Sequence, residues 1–146
     1  MPERTVFQSL TQRHVVTLPQ HSTVWEAACV MTKAKSSNVL ITDSSGSMLG
    51  ILTERDLITR VLAKAMNPQT THVSDVMTPN PQTIGPDMKV AEAVLMMIER
   101  GFRHLPIVSP SNKTLGVFSV ADAMPREIGD AVSLAEFNDQ VNDALG

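Results

Sequence analysis

The chain says the same thing twice. Shifted against itself by 66 positions, the stretch from Val15 to Leu57 aligns with that from Pro81 to Ala123 without a gap. Thr17 falls on Thr83, Val24 on Val90, Glu26 on Glu92, Ala27 on Ala93, Met31 on Met97, Ile41 on Ile107, Gly50 on Gly116 and Asp56 on Asp122. Apolar positions also match by type, as in Leu18 with Ile84 and Val39 with Leu105. A register kept through loops as well as through apolar runs marks two copies of one supersecondary unit, and this constrains the fold more than any other feature.

Each copy reads as β-α-β-β-α. "VVTL" and "PQTI" are short extended segments that end at Pro19-Gln20 and Gly85-Pro86. An amphipathic helix follows, starting near Thr23 as "VWEAACVMTKAK" and, in the second copy, as "VAEAVLMMIERG" with Gly101 as its C-terminal cap. Trp25 and Cys29 share one face of the first helix and are expected in the core, as are Met96 and Met97 in the second. "NVLIT" and "HLPIV" are buried strands, the polar loops "DSSGSM" and "SPSNKT" turn the chain, and "LGIL" and "LGVF" return it. Thr53 and Ser119 then open a second helix in each copy. The expected class is α/β (α+β), with the tandem repeats packed sheet against sheet about a pseudo-two-fold axis.

The segment "AKAMNPQTTHVSDVMTPNP" reads as a linker and contains "VSDVMT" from Val73 to Thr78. A weaker echo, "VFQSLT" from Val6 to Thr11, precedes the first copy, so each copy carries a lead-in. After Pro125 an apolar pattern at Val132, Leu134, Ala135, Phe137 and Val141 predicts a helix with no counterpart in the repeat. This divides the chain into a first repeat with its lead-in at 1–66, a second at 67–126 and a helical tail at 127–146.

Two small halves within 146 residues must share a modest supply of apolar mass. Hydrophobic residues reach 42% but aromatics only 3%, so the core is aliphatic, with nine Met. A net charge of −3 with no long basic run disfavours nucleic-acid binding, and no apolar run approaches the roughly 20 residues that span a bilayer. The single cysteine excludes an internal disulfide, and the charged "MPERTVFQSL" start lacks a signal core; both point to a cytoplasmic protein.

The chemistry concentrates in "GILTERD" (Gly50–Asp56) and "GVFSVAD" (Gly116–Asp122). A hydroxyl followed three residues later by a carboxylate, just after a strand, makes a helix N-cap with an acidic third residue. The same arrangement offers backbone N–H groups to an anion and a carboxylate to the two hydroxyls of a ribose. Both readings stand on the residues alone, and they are compatible. The glycine ahead of each motif permits a close approach of backbone or ligand. No phosphate-binding P-loop, dinucleotide glycine fingerprint or serine-nucleophile elbow is present, and His14, His21 and His72 are not at metal-ligand spacing with one another or with Cys29. No catalytic residue and no metal site are assigned.

Taken together, the repeated unit, the "VSDVMT" lead-in, "FRHLPIV" and the two glycine-apolar-apolar-Ser/Thr-x-x-Asp motifs resemble a cystathionine-β-synthase (CBS) domain pair, or Bateman module, over about Val6 to Met124. The resemblance implies an adenosine ligand (AMP, ADP or ATP, with S-adenosylmethionine or NADH as alternatives) bound between the copies. It implies that Asp56 and Asp122 hold ribose hydroxyls, and that Thr53 and Ser119 sit by ribose or phosphate. Thr17, Leu18, Thr83 and Ile84 match positions that flank adenine. Arg103 and His104 match a phosphate clamp, for which the first copy has only Ser37 and Asn38. It further implies a homodimer that signals to a separate, unknown regulated protein without being an enzyme. The alternative is a dimeric interaction scaffold whose motifs are only caps.

Overall fold

The fold comes from a computed structural model that describes residues 3–11 and 14–145. The chain divides into two compact units. One is Val15–Pro81; the other joins the N-terminal segment up to His14 to everything from Gln82 on. Strands and helices mix in each.

In the first unit, β1 (Thr17–Pro19) lies parallel to β2 (Asn38–Thr42), which pairs antiparallel with β3 (Met48–Thr53). Between β1 and β2 runs a helix, Val24–Ala34. Its start is fixed by Thr23, whose Oγ1 accepts a hydrogen bond from the Glu26 N–H at 3.1 Å. Its end is fixed by Lys35 in the left-handed conformation, φ 53°. The second unit repeats this plan. Helix Val90–Arg100 ends at Gly101 with φ 75°, and strands His104–Val108 and Thr114–Ser119 pair antiparallel.

The 66-residue offset survives in the register. The row Leu18–Ile41–Gly50 becomes Ile84–Ile107–Gly116, and the irregularity at Ile41/Thr42 becomes one at Ile107/Val108. The cores match as well. Val24, Ala27, Met31, Val39, Ile41 and Leu52 are buried in one unit; Val90, Ala93, Met97, Leu105, Ile107 and Phe118 are buried in the other. On the helices these fall at i, i+3 and i+7, which is the inward stripe.

Several expectations change. Trp25 is half exposed and Cys29 exposed, because the inward stripe is already filled by Val24, Ala27 and Met31 and a residue one step along turns away. Met97 is buried with Met96 packed beside it, as expected. "PQTI" contributes a single bridge, Ile84 to Ile107, rather than a strand, since Pro81 and Pro86 lack the N–H groups a ladder needs. The second helix of the second copy lasts one 3₁₀ turn, Val120–Asp122, after which Ala123 is extended. Met124 precedes Pro125, and a residue before proline is pushed out of the helical region. The helix restarts as Pro125–Leu145. In the first copy the equivalent turn, Glu54–Asp56, runs on as a π-helical segment, Leu57–Leu62.

The expected linker is part of the first unit. Val73 and Val76 are buried in its core, and Thr78–Pro79 adds a fourth strand against β3. The echo "VFQSLT" forms a short helix, Val6–Ser9, and Val6 and Leu10 are buried in the core of the second unit rather than the first. Each lead-in thus packs on the repeat that does not follow it. A shared contact explains the glycines: a Cβ on Gly50 would meet Met77 Sδ at 2.5 Å and the Thr78 carbonyl oxygen at 2.7 Å, and one on Gly116 would meet Leu10 Cδ1 at 2.5 Å. Met77 and Leu10 hold equivalent places in the two lead-ins.

The long helix is tied to the second unit by Ala131, fully buried, and by an ion pair. Arg4 Nη2 and Nε donate to Glu127 Oε1 at 2.7 Å and Oε2 at 3.1 Å. This fork holds the Glu127 carboxyl below the ordinary glutamate value despite its burial, with further pull from the Met124 N–H and from Arg126.

Two outcomes follow from these contacts. Gly50→Ala should cost more stability than Gly116→Ala, about 2–3 against about 1 kcal/mol, because backbone must move at Gly50 and only a side-chain tip at Gly116. Leu10→Ala should recover part of the Gly116→Ala loss, and chemical denaturation of the three variants checks this. Because the folded-state pKa of Glu127 is depressed, its contribution is present above the ordinary glutamate value and is lost as pH falls through the depressed one. Melting temperature followed from pH 7 into acid should therefore fall less steeply in Glu127→Gln than in the wild type, from a lower starting point.

Candidate functional site

The strand bearing the glycine ends at the motif hydroxyl in both units. In the first, Thr53 is extended (φ −117°, ψ 165°) and the chain turns helical behind it. Thr53 Oγ1 accepts from the Asp56 N–H at 3.2 Å, and Asp56 Oδ2 accepts from the Thr53 N–H at 3.0 Å. These are the reciprocal bonds of a capping box. Thr53 Oγ1 also donates to Oδ2 at 3.1 Å. Asp56 is buried, with 8% of its surface exposed. Its second oxygen, Oδ1, faces Arg60 Nε at 3.5 Å, and Arg60 in turn donates to the Val76 and Met77 carbonyls, each at 3.2 Å.

In the second unit Ser119 is likewise extended (φ −127°, ψ 163°). Its N–H donates to Asp122 Oδ2 at 3.0 Å, and its hydroxyl lies 3.5 Å from the same oxygen. Among the described residues, Asp122 Oδ1 accepts from the Thr11 hydroxyl at a long 3.4 Å. The cap therefore occupies one carboxylate oxygen in each unit. The other keeps acceptor capacity, since an ionised carboxylate has about four lone-pair sites, and it is less committed at Asp122 than at Asp56.

Strand pairing gathers the remaining candidates. His104 sits directly opposite Ser119 at the end of the ladder, and the exposed Arg103 precedes it. Asn38 lies opposite Thr53 in the same way. The Arg103–His104 pair thus leads into the strand opposite Ser119, where the first unit has Ser37 and Asn38 opposite Thr53. Thr17 and Leu18 lie on β1, beyond β2 from β3, so they are two strand spacings, about 10 Å, from the motif strand. Ile84 occupies the equivalent row and is buried; Thr17 and Thr83 are exposed.

Arg60, Arg4 and Thr11 were not among the residues expected near the motifs. Arg60 is four residues after Asp56, a helical spacing that was legible in the sequence. Arg4 and Thr11 come from more than 100 positions away and left no local signal. His21 and His72 meet edge to face with ring centroids 5.9 Å apart. Among the described residues, no group of three or more His, Cys, Asp or Glu side chains is placed to hold a metal ion, and no helix is long and apolar enough to cross a membrane. Two open grooves are lined by neither Asp56 nor Asp122, although the second runs past Glu54 of the first motif and the adjacent Leu57. One of about 660 Å³ runs between the two longer helices of the second unit, past Ile98, Phe137 and Val141. One of about 310 Å³ lies by Met31, Lys35 and Leu57.

The chain matches the CBS domain family over residues 7–63 and 73–126. A CBS domain-containing protein of Arabidopsis thaliana is 37% identical over 142 residues, covering 91% of this chain but 26% of the relative, so the chain spans about a quarter of that protein. The crystal structure of a CBS-domain containing protein from Agrobacterium tumefaciens superposes with a TM-score of 0.74 at 30% identity, covering 81% of this chain and 89% of that one. A CBS domain protein from Pyrobaculum aerophilum, solved in complex with AMP, gives 0.75 at 23% identity, covering 86% and 95%; that likeness bears on the fold. Two matched segments, the same fold and the repeated motif in each unit make this chain a member of the CBS domain family, carrying the domain as a tandem pair.

Proposed function

We propose that the chain is a regulatory module that binds an adenosine nucleotide (AMP, ADP or ATP, with S-adenosylmethionine or NADH as alternatives) and passes its occupancy to a separate protein partner. The observation that carries this reading is the state of the two aspartates. Each sits at the turn after a strand with one oxygen bound by the cap and the other, Oδ1, turned elsewhere, and a vicinal diol needs such an acceptor. The AMP bound to the Pyrobaculum family member supports the ligand class. In this reading Asp56 and Asp122 take ribose hydroxyls, Thr53 and Ser119 stand beside them, Thr17, Leu18, Thr83 and Ile84 flank the base, and Arg103 with His104 holds phosphate. No reaction is assigned, because none of these groups pairs a nucleophile with a base. The working compartment is the cytoplasm.

The second reading, a scaffold whose motifs only cap helices, is favoured by one observation. Trp25, Ile58 and Leu62 are 52%, 60% and 76% exposed, and large apolar groups at a surface mark contact sites. The same exposure supports a homodimer under either reading. Light scattering of the full chain at micromolar concentration should give twice the 15.9 kDa chain mass; a single-chain mass with and without AMP would remove the dimer.

Calorimetric titration with AMP and adenosine separates the two readings. Wild type should bind both. Asp122→Asn should weaken both by about 1.5–3 kcal/mol, the range for hydrogen bonds to a charged group, while melting within about 1 kcal/mol of wild type because asparagine retains an acceptor for the Ser119 N–H. Arg103→Ala should weaken AMP by about the same 1.5–3 kcal/mol and leave adenosine nearly unchanged, because only AMP carries the phosphate. Equal losses for the two ligands would remove the phosphate role of Arg103. No heat with any adenosine compound would leave the scaffold.

A further inference from the structure

The two units hold their motif aspartates in place by different means. Asp56 is followed by further helix, and Arg60, four residues on, reaches its Oδ1. Asp122 has neither support. Its 3₁₀ turn ends at once, Ala123 is extended, and position 126, which holds an arginine, already belongs to the helix that restarts at Pro125. A carbonyl at the end of an isolated turn has no donor further along the chain. The donor comes from the other end of the sequence: Arg4 Nη2 reaches the Asp122 carbonyl oxygen at 3.1 Å.

The same guanidinium is fixed on its other side. Arg4 Nε and Nη2 fork onto both Glu127 oxygens, and Glu127 Oε1 also accepts the Met124 N–H at 2.8 Å, which caps the long helix. The Arg4 backbone is held too, because its carbonyl accepts from the Val90 N–H at 3.0 Å. Arg4 is therefore a rigid post bonded to the Asp122 turn, to the start of the long helix and to the start of helix Val90–Arg100. Thr11, from the same N-terminal segment, approaches Asp122 Oδ1 itself.

We propose that Arg4 is a positioning residue for Asp122: it fixes the turn that presents the carboxylate to the ribose and, through Glu127, joins that turn to the long helix. This rests on the reading of Asp122 as a ribose-binding group. A ligand that draws on Asp122 then pulls on a turn whose other attachment is the first turn of Pro125–Leu145. That helix is the element the first repeat lacks, and its Leu134, Phe137 and Val141 are exposed.

The test is a double-mutant cycle on the full chain, with adenosine and AMP as probes. Arg4→Lys keeps a cation against Glu127 but has no planar fork to span carbonyl and carboxylate together. It should melt close to wild type yet bind both probes about tenfold more weakly, a coupling in the range seen for residues in one hydrogen-bond network. In an Asp122→Asn background the same change should cost less than twofold, because the positioned carboxylate is gone. Arg4→Ala should follow the same pattern with a lower melting temperature. Equal losses in the two backgrounds, or none in wild type, overturn the positioning role while leaving nucleotide binding intact. A wild-type chain that binds neither probe overturns the nucleotide reading, and the role of Arg4 at a ribose falls with it.

Discussion

The organisation of this chain turns on a close contact between a lead-in side chain and a strand glycine. Leu10 lies where a Gly116 side chain would be, and Met77 lies where a Gly50 side chain would be. The space of one methyl group lets a segment from outside the sheet lie flat on it, bury Val6 or Val73 behind it, and complete a core that the β-α-β-β unit alone leaves open. Small units have little apolar surface to bury, so one added segment is a large share of what holds each together. Because each lead-in serves the repeat that does not follow it, the second unit is not contiguous in sequence, and the N-terminal residues are structural parts of the C-terminal half.

This explains how far the sequence could be read. Val24, Ala27 and Met31 repeat as Val90, Ala93 and Met97, and strands at Asn38–Thr42 and His104–Val108 follow from apolar runs bounded by turns, because helix and strand periodicity are local properties. The destination of the lead-ins is not local. "VFQSLT" next to the first repeat reads as part of it, and nothing in those six residues says that Leu10 belongs on Gly116. The motif glycines read as room for a backbone or ligand; at Gly50 that room is taken by the Thr78 backbone together with the Met77 side chain, and at Gly116 by the Leu10 side chain alone. Trp25 and Cys29 show the limit of apolar counting on a helix, since the core took the stripe with better-fitting Val, Ala and Met. Family membership was legible in the motifs. The arginines behind the aspartates were legible only for Arg60, which is helically spaced from its partner.

The helix cap uses one oxygen of each motif carboxylate. A helix cap needs one acceptor for one N–H, and an aspartate has a second oxygen left over. Asp56 turns that oxygen to Arg60 and is buried, whereas the corresponding oxygen of Asp122, among the described residues, meets a distant threonine hydroxyl. The repeats are thus alike in backbone and unlike in the partners of their aspartates, with Arg60 paired to the first and the Thr11 hydroxyl near the second among the described residues.

The central claim is that the second carboxylate oxygen is the ribose acceptor, and a crystal structure of the full chain with AMP tests it most directly. The account predicts ribose hydroxyls about 2.6–2.9 Å from Asp122 Oδ1, with Oδ2 still accepting from the Ser119 N–H. A structure in which AMP sits away from both aspartates, with the two caps unchanged, would contradict it.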